Sequence, residues 1–169
     1  MTLEIATARS AEDIEHVRTL CREFEAALRR RYEAHIWLVE TYIEPESWFE
    51  EMRDIEKIYA PPEGAVLLAR VDGAPAGFVM MRKISEGICE MKRLFVRETA
   101  RGADVGRHLS EKLIEIAREC GYRNMCLDVG FRQVEARALY ASLGFKQIPP
   151  YKTMPKTVAE LLDFMELEL

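Results

Sequence analysis

The chain has 169 residues, a formal net charge of −5, and is 49% hydrophobic and 31% charged. That length favours one domain, spanning 1–169, with enough surface to bury a core without disulfides or a metal. The acidic balance argues against a dedicated nucleic-acid binder, and no apolar run reaches the roughly 18 residues that cross a membrane. The four cysteines, Cys21, Cys89, Cys120 and Cys126, form no CxxC pair, and His16, His35 and His108 are scattered. No metal site is expected, and free thiols suit a reducing, cytoplasmic setting. The first residues hold no apolar segment of signal-peptide kind.

Leu3 to Ala8 reads as a short strand. Ser10 is an N-cap, with Glu12 and Asp13 in the first turn, and Ile14, Val17, Cys21, Phe24 and Leu28 recur at helical spacing to about Arg31. Arg31 to Pro45 fits a helix or a loop equally. Trp48, Met52, Ile55 and Ile58 predict a second helix that stops before Pro61-Pro62. Gly64 to Val71 and Ala76 to Ile84 are strands joined at Asp72-Gly73, a hairpin signal. Ile88 to Val96 completes a three-strand meander. There Met91, Leu94 and Val96 cannot share one face of a regular strand, so a β-bulge is expected near Lys92-Arg93.

Val105, Leu109, Leu113, Ala117 and Cys120 then form a helical stripe ended by Gly121. Asn124 to Val129 is a strand of the kind a parallel sheet buries. Ala136, Leu139, Tyr140 and Leu143 mark another helix, capped by Gly144, and Phe164 to Leu169 closes the chain as a strand. The order β-α-α-β-β-β-α-β-α-β, with room for one more strand, implies an α/β (α+β) protein. Its sheet is mixed and mostly antiparallel, with helices on both faces.

The loop "RETARGADVGRHL" lies between a strand and a helix. A helix N-terminus offers unpaired N–H groups and about half a positive charge, and glycine permits close approach. Arg101 and Arg107 add formal charge, so the loop suits a phosphate. No Gly-Lys-[Ser/Thr] follows, which excludes a P-loop, and the dinucleotide pattern G-x-G-x-x-G is absent.

Arg101-Gly102-Ala103-Asp104-Val105-Gly106 resembles the Q/R-x-x-G-x-G/A pyrophosphate loop of the GNAT superfamily of N-acetyltransferases. "CEMKRLFV" before it is similar to that superfamily's fourth strand, and "RALYASLGF" to its later tyrosine-bearing helix. Two positions depart from the pattern: Asp104 stands where the loop has a glycine, and Gln133 stands where members often have asparagine, seven residues before Tyr140. The resemblance implies a GNAT-like fold with the cofactor cleft between splayed central strands, and acetyl-CoA as cosubstrate. Backbone of Leu94, Phe95 and Val96 would pair with the pantetheine arm. Arg101, Gly102, Ala103, Asp104, Val105, Gly106 and Arg107 would hold the pyrophosphate, with Gln133 on the cofactor arm.

By the same resemblance Tyr140 is the candidate general acid for the leaving thiolate, and Glu90 the candidate base for the amine. Each also has a plain structural reading, Tyr140 as packing and Glu90 as a solvent-facing charge. Lys92 and Arg93 fit the steering of an acidic substrate or the cofactor entrance, and Trp37, Tyr42 and Trp48 the wall of an acceptor pocket. Cys89 lacks a histidine partner, so an acyl-cysteine route is rejected. The implied reaction is direct transfer of an acetyl group to a primary amine on a small molecule or peptide. A homodimer is the common assembly. The alternative is an acyl-CoA-binding sensor without catalysis. Asp104 is expected to favour the helix through its dipole by about 0.3–1 kcal/mol while repelling the pyrophosphate. Asp104→Gly should then bind acetyl-CoA more tightly and melt slightly lower without ligand.

Overall fold

The computed structural model describes Met1–Leu169. Its strands are β1 (Leu3–Thr7), β2 (Ala65–Val71), β3 (Ala74–Ser85), β4 (Ile88–Val96), β5 (Asn124–Gly130), β6 (Lys146–Ile148) and β7 (Leu162–Glu168). They form one sheet in the order β1-β2-β3-β4-β5-β7-β6. All neighbours are antiparallel except β4 and β5, which run parallel.

Helix α1 (Ala11–Arg31) starts as its sequence dictates. Ser10 Oγ accepts the Asp13 N–H at 3.0 Å, and the Asp13 carboxylate accepts the Ser10 N–H at 3.3 Å. This reciprocal capping satisfies two otherwise orphaned donors. The ambiguous stretch after Arg31 is a 3-10 turn at Glu33–His35 followed by α2 (Ile36–Tyr42). The single helix expected next is two, α3 (Pro45–Arg53) and α4 (Ile55–Ile58), broken at Asp54, whose φ of −108° leaves helical geometry. The break brings the Tyr59 hydroxyl onto Glu51 at 2.5 Å. Helices α5 (Val105–Glu119) and α6 (Val134–Ser142) follow the predicted stripes. The short α7 (Lys156–Ala159) and β6 had no place in the periodicity.

Two apolar cores sit on the two faces of the sheet. One packs Leu67, Val79, Met91 and Leu127 against α5 residues Leu109 and Leu113. The other packs Leu68, Phe78 and Met80 against α1 residues Val17, Leu20 and Phe24.

The β4 bulge is where the side-chain pattern required it. Phe95 pairs with Phe78, but Lys92 pairs with Met80, so three steps along β4 face two along β3. Arg93 takes a left-handed φ of 60° inside this irregularity. Met91, Leu94 and Val96 thereby all reach the α5-side core, while Phe95 packs in the opposite one.

Candidate active site

The parallel ladder between β4 and β5 is short. It pairs Ile88, Cys89 and Glu90 with Asn124, Met125 and Cys126 and then stops. Beyond Glu90 the strands diverge, so the β5-facing edge of β4 from Met91 to Val96 carries no ladder bonds. This exposed edge is the backbone the sequence marked at Leu94, Phe95 and Val96. A cavity of about 650 Å³ opens along it, walled by these three residues, by Phe24, Ala27 and Leu28 of α1, and by Ala136 and Leu139 of α6.

The anion loop forms one end of that cavity. Arg101, Gly102, Asp104, Val105, Gly106 and Arg107 all line it, whereas Ala103 turns inward and packs against the α5-side core. Gly102 has a φ of 90°, a conformation open to glycine at little cost. No side chain caps α5, and its first backbone bond runs from the His108 N–H to the Asp104 carbonyl at 3.0 Å. The N–H groups of Val105, Gly106 and Arg107 are therefore left for an anion. Arg107 is aimed by a 2.7 Å bond to Ser142 Oγ, and Arg101 is 59% exposed at the rim. These features fit a pyrophosphate.

Asp104 is not in the first turn. It is the residue before the helix, with φ 50° and ψ 24°. A left-handed backbone there gives the resembled motif a conformational reason for glycine, and an aspartate pays for it in strain. The expected stabilisation of α5 by this carboxylate is thus opposed by its own backbone.

Beyond Leu94 the cleft continues into a smaller inner cavity of about 60 Å³, which shares Phe24, Leu28, Leu94 and Gln133 with the larger one. Gln133 precedes α6, and its side-chain oxygen accepts the Gly130 N–H at 3.1 Å, leaving its NH2 group free for a ligand. Tyr140 lines the inner cavity and is only 7% exposed. Burial, and then the nearby Asp128 charge, raise its pKa well above the usual phenol value. Asp128 also lines this cavity and accepts a 2.6 Å bond from the Tyr42 hydroxyl.

Glu90 does not face solvent. It is 1% exposed and lies at the vertex where the strands part. Its carboxylate accepts bonds from Arg82 at 3.0 Å, Tyr151 at 2.8 Å and Lys152 at 2.7 Å. Burial works against its charge, but Lys92, Lys152 and Arg82 overcome that and hold its pKa down to about 2. Lys152 also pairs with Asp128, so one ammonium links the two carboxylates.

The aromatic residues divide. Tyr42 lines the inner cavity, Trp48 lies under the Arg93 guanidinium at 4.5 Å, and Trp37 is 42% exposed on the surface. Sequence reasoning missed Asp128, Lys152, Tyr151 and Glu51. Only Asp128 left a signal, as the one charge in the apolar run "NMCLDV".

No helix is long and apolar enough to cross a membrane. In fold, the chain is similar to the PaiA N-acetyltransferase of Thermoplasma acidophilum, solved in complex with coenzyme A, with a TM-score of 0.76 at 20% identity and full coverage of both chains. In sequence it is 37% identical over 108 residues to an uncharacterized N-acetyltransferase of Schizosaccharomyces pombe, which spans 63% of this chain and 66% of that protein. It is also 37% identical over 93 residues to the IAA acetyltransferase of Azospirillum brasilense, 54% of this chain and 61% of that one. The chain covers less than two thirds of either relative's length. The model of the acetyltransferase (GNAT) family matches residues 19–145, a segment that holds the divergent strands, the anion loop and Tyr140, and the chain belongs to that family.

Proposed function

We propose that the protein is an acetyl-CoA-dependent N-acetyltransferase that acts by direct attack of a primary amine on the thioester. The observation that carries this reading is one continuous cleft. It joins an anion loop, an unpaired strand edge and a buried tyrosine in the order that a phosphate, an extended arm and a thioester require.

The chain's residues divide the work. The N–H groups of Val105, Gly106 and Arg107, with Arg101 and Arg107 side chains, hold the pyrophosphate. The β4 edge from Leu94 to Val96 takes the arm as an added strand, and the Gln133 amide fixes it from the other wall. Acetyl-CoA supplies an activated acyl group. Tyr140, a phenol whose ordinary pKa is about 10 and which burial raises further, carries its proton at neutral pH. It donates to the leaving sulfur as the carbon–sulfur bond breaks.

The proton of the attacking amine goes to Asp128, directly or through water. Asp128 lines the inner cavity beside Tyr140. Glu90 was the candidate from the sequence, but it is buried and does not line the inner cavity, as Asp128 does. We assign it a positioning role, acting on Asp128 through Lys152. A cytoplasmic setting and a homodimer complete the proposal. Four free cysteines, three of them buried, support the first; the family's habit supports the second.

The test is release of CoA thiol from acetyl-CoA with a panel of amino acids, polyamines, aminoglycosides and lysine peptides. Turnover with at least one amine is expected. Tight acetyl-CoA binding with no turnover of any amine would favour the sensor reading instead.

A further inference from the structure

Both carboxylate oxygens of Asp128 are engaged. Oδ1 accepts the Tyr42 hydroxyl at 2.6 Å, and Oδ2 is paired with Lys152. Of these two partners only Tyr42 lines the inner cavity, together with Asp128 and Tyr140. A hydroxyl thus stands between that cavity and the carboxylate that takes up the proton of the amine.

Helix α2 holds Tyr42 in this place. Leu38 and Val39 lie four and three residues before it, on the same helix face, and line the same cavity. Both are buried, as is Ile43. The one hydrogen bond of the Tyr42 hydroxyl is the one it donates to Asp128, so its oxygen keeps its acceptor lone pairs. The charged groups around it are Asp128 of β5, Lys152 of the segment before α7, and Arg93 and Glu90 of β4. Asp128 alone bonds to the hydroxyl. Burial, and then the Asp128 charge, raise the phenol's pKa well above its usual value. Tyr42 therefore cannot stay ionised at neutral pH and is no base by itself. It holds a proton to pass on and a lone pair to receive one.

We propose that Tyr42 is a catalytic proton relay: its oxygen takes a proton from the attacking amine while its own proton passes to Asp128 Oδ1. This rests on the acetyltransferase reading and supplies the path from amine to Asp128. A neutral amine attacks the thioester carbonyl; the nitrogen–carbon bond forms and the carbon–sulfur bond breaks. The N–H proton moves to Tyr42, the Tyr42 proton to Asp128, and the Tyr140 proton to the electron pair leaving on sulfur. Asp128 then has one proton too many and Tyr140 one too few, and transfer between them restores both. An acceptor that arrives as an ammonium first gives one further proton to solvent. The inner cavity has only to take the reacting nitrogen, its carbon and the acetyl group. About 60 Å³ is room for roughly four to six water-sized groups at ~10–15 Å³ each. The sulfur and the arm belong to the larger cavity, which meets the inner one at Leu94.

The experiment follows thiol release with the best amine of the panel, at saturating acetyl-CoA, for the parent, Tyr42→Phe, Asp128→Asn and the double variant. Tyr42→Phe keeps the ring and its apolar contacts, and retained thermal stabilisation by acetyl-CoA shows that it folds. It should lower kcat about 10²-fold, as loss of one proton-transfer group does, with KM for acetyl-CoA little changed. Its deficit should shrink several-fold between about pH 7 and 9, as hydroxide takes over the proton. A hydroxyl that merely supports the fold would cost the same at every pH. Because the relay ends on Asp128, the double variant should match Asp128→Asn within about twofold. An unchanged kcat in Tyr42→Phe, a deficit independent of pH, or additive losses in the double variant would each overturn the relay while the acetyltransferase reading stands. A parent that is stabilised by acetyl-CoA but acetylates no amine would overturn that reading, and the relay with it.

Discussion

Arg93 and Glu51 form a two-bond ion pair, at 2.9 and 2.5 Å, that ties the β4 bulge to α3. Both side chains are buried, at 6% and 13% exposure. Removing one partner of such a pair leaves the other charged and desolvated, which costs about 3–5 kcal/mol. Glu51→Gln should therefore lower stability by about that amount in urea titration, and Glu51→Leu with Arg93→Met should recover a large part of it. A double variant no more stable than Glu51→Gln would show that packing, not the stranded charge, sets the loss.

Acid stability tests the same cluster. Burial opposes the charge on Glu51, but Arg93 outweighs it and holds the pKa down to about 2; Glu90 lies at about 2 under Lys92, Lys152 and Arg82. A depressed carboxyl contributes stability that is fully present above its unfolded pKa, about 4.3, and lost as pH falls toward the folded value. Stability should thus fall between about pH 4.5 and 2, and Glu90→Gln should flatten that fall. A variant with the parent's slope would contradict the assignment.

Tyr140 and Asp128 share the inner cavity, and their variants should share a phenotype. Tyr140→Phe should lower kcat by roughly 10²-fold, and Asp128→Asn by about 10²–10⁴-fold, both with acetyl-CoA affinity nearly intact. Glu90→Gln, acting through Lys152, should lower kcat less than Asp128→Asn does. Steady-state kinetics on the best amine of the panel decide it; the reverse order would return the base role to Glu90.

Asp104→Gly should bind acetyl-CoA several-fold more tightly, with the gain shrinking at high salt, because Asp104 lines the anion end of the cleft. Its left-handed φ of 50° changes the stability half of the expectation. Glycine relieves strain of about 1 kcal/mol there, which offsets its greater entropy when unfolded. The ligand-free Tm should equal or slightly exceed the parent's. Paired titrations at two salt concentrations and a melting curve check both halves, and weaker binding by the variant would mean that the Asp104 carboxylate organises the loop.

Local signals carried most of the fold into the sequence. Ser10 and Asp13 announced the start of α1, and the failed alternation at Met91, Leu94 and Val96 announced the bulge. The cleft residues from Leu94 to Arg107 were legible because one loop and one strand edge, both contiguous, supply them. The polar cluster was not. Glu90, Asp128 and Lys152 come from β4, β5 and the segment before α7, and no local pattern relates residues that only the sheet brings together. Asp54 hid the break between α3 and α4, since its neighbours keep helical spacing across it. The αL backbone at Asp104 was hidden too, because aspartate is not the residue that usually marks it.

The central claim is that the cleft between β4 and β5 is an acetyl-CoA site, and a thermal-shift comparison tests it most directly. At acetyl-CoA concentrations near 100 times the dissociation constant, a ligand specific to the folded state adds about 2.7 kcal/mol, a rise of roughly 5–10 °C for a chain of this size. Millimolar acetyl-CoA or CoA should raise Tm by that order, and NAD and ATP far less. A flat response to acetyl-CoA, or an equal response to ATP, would contradict the account.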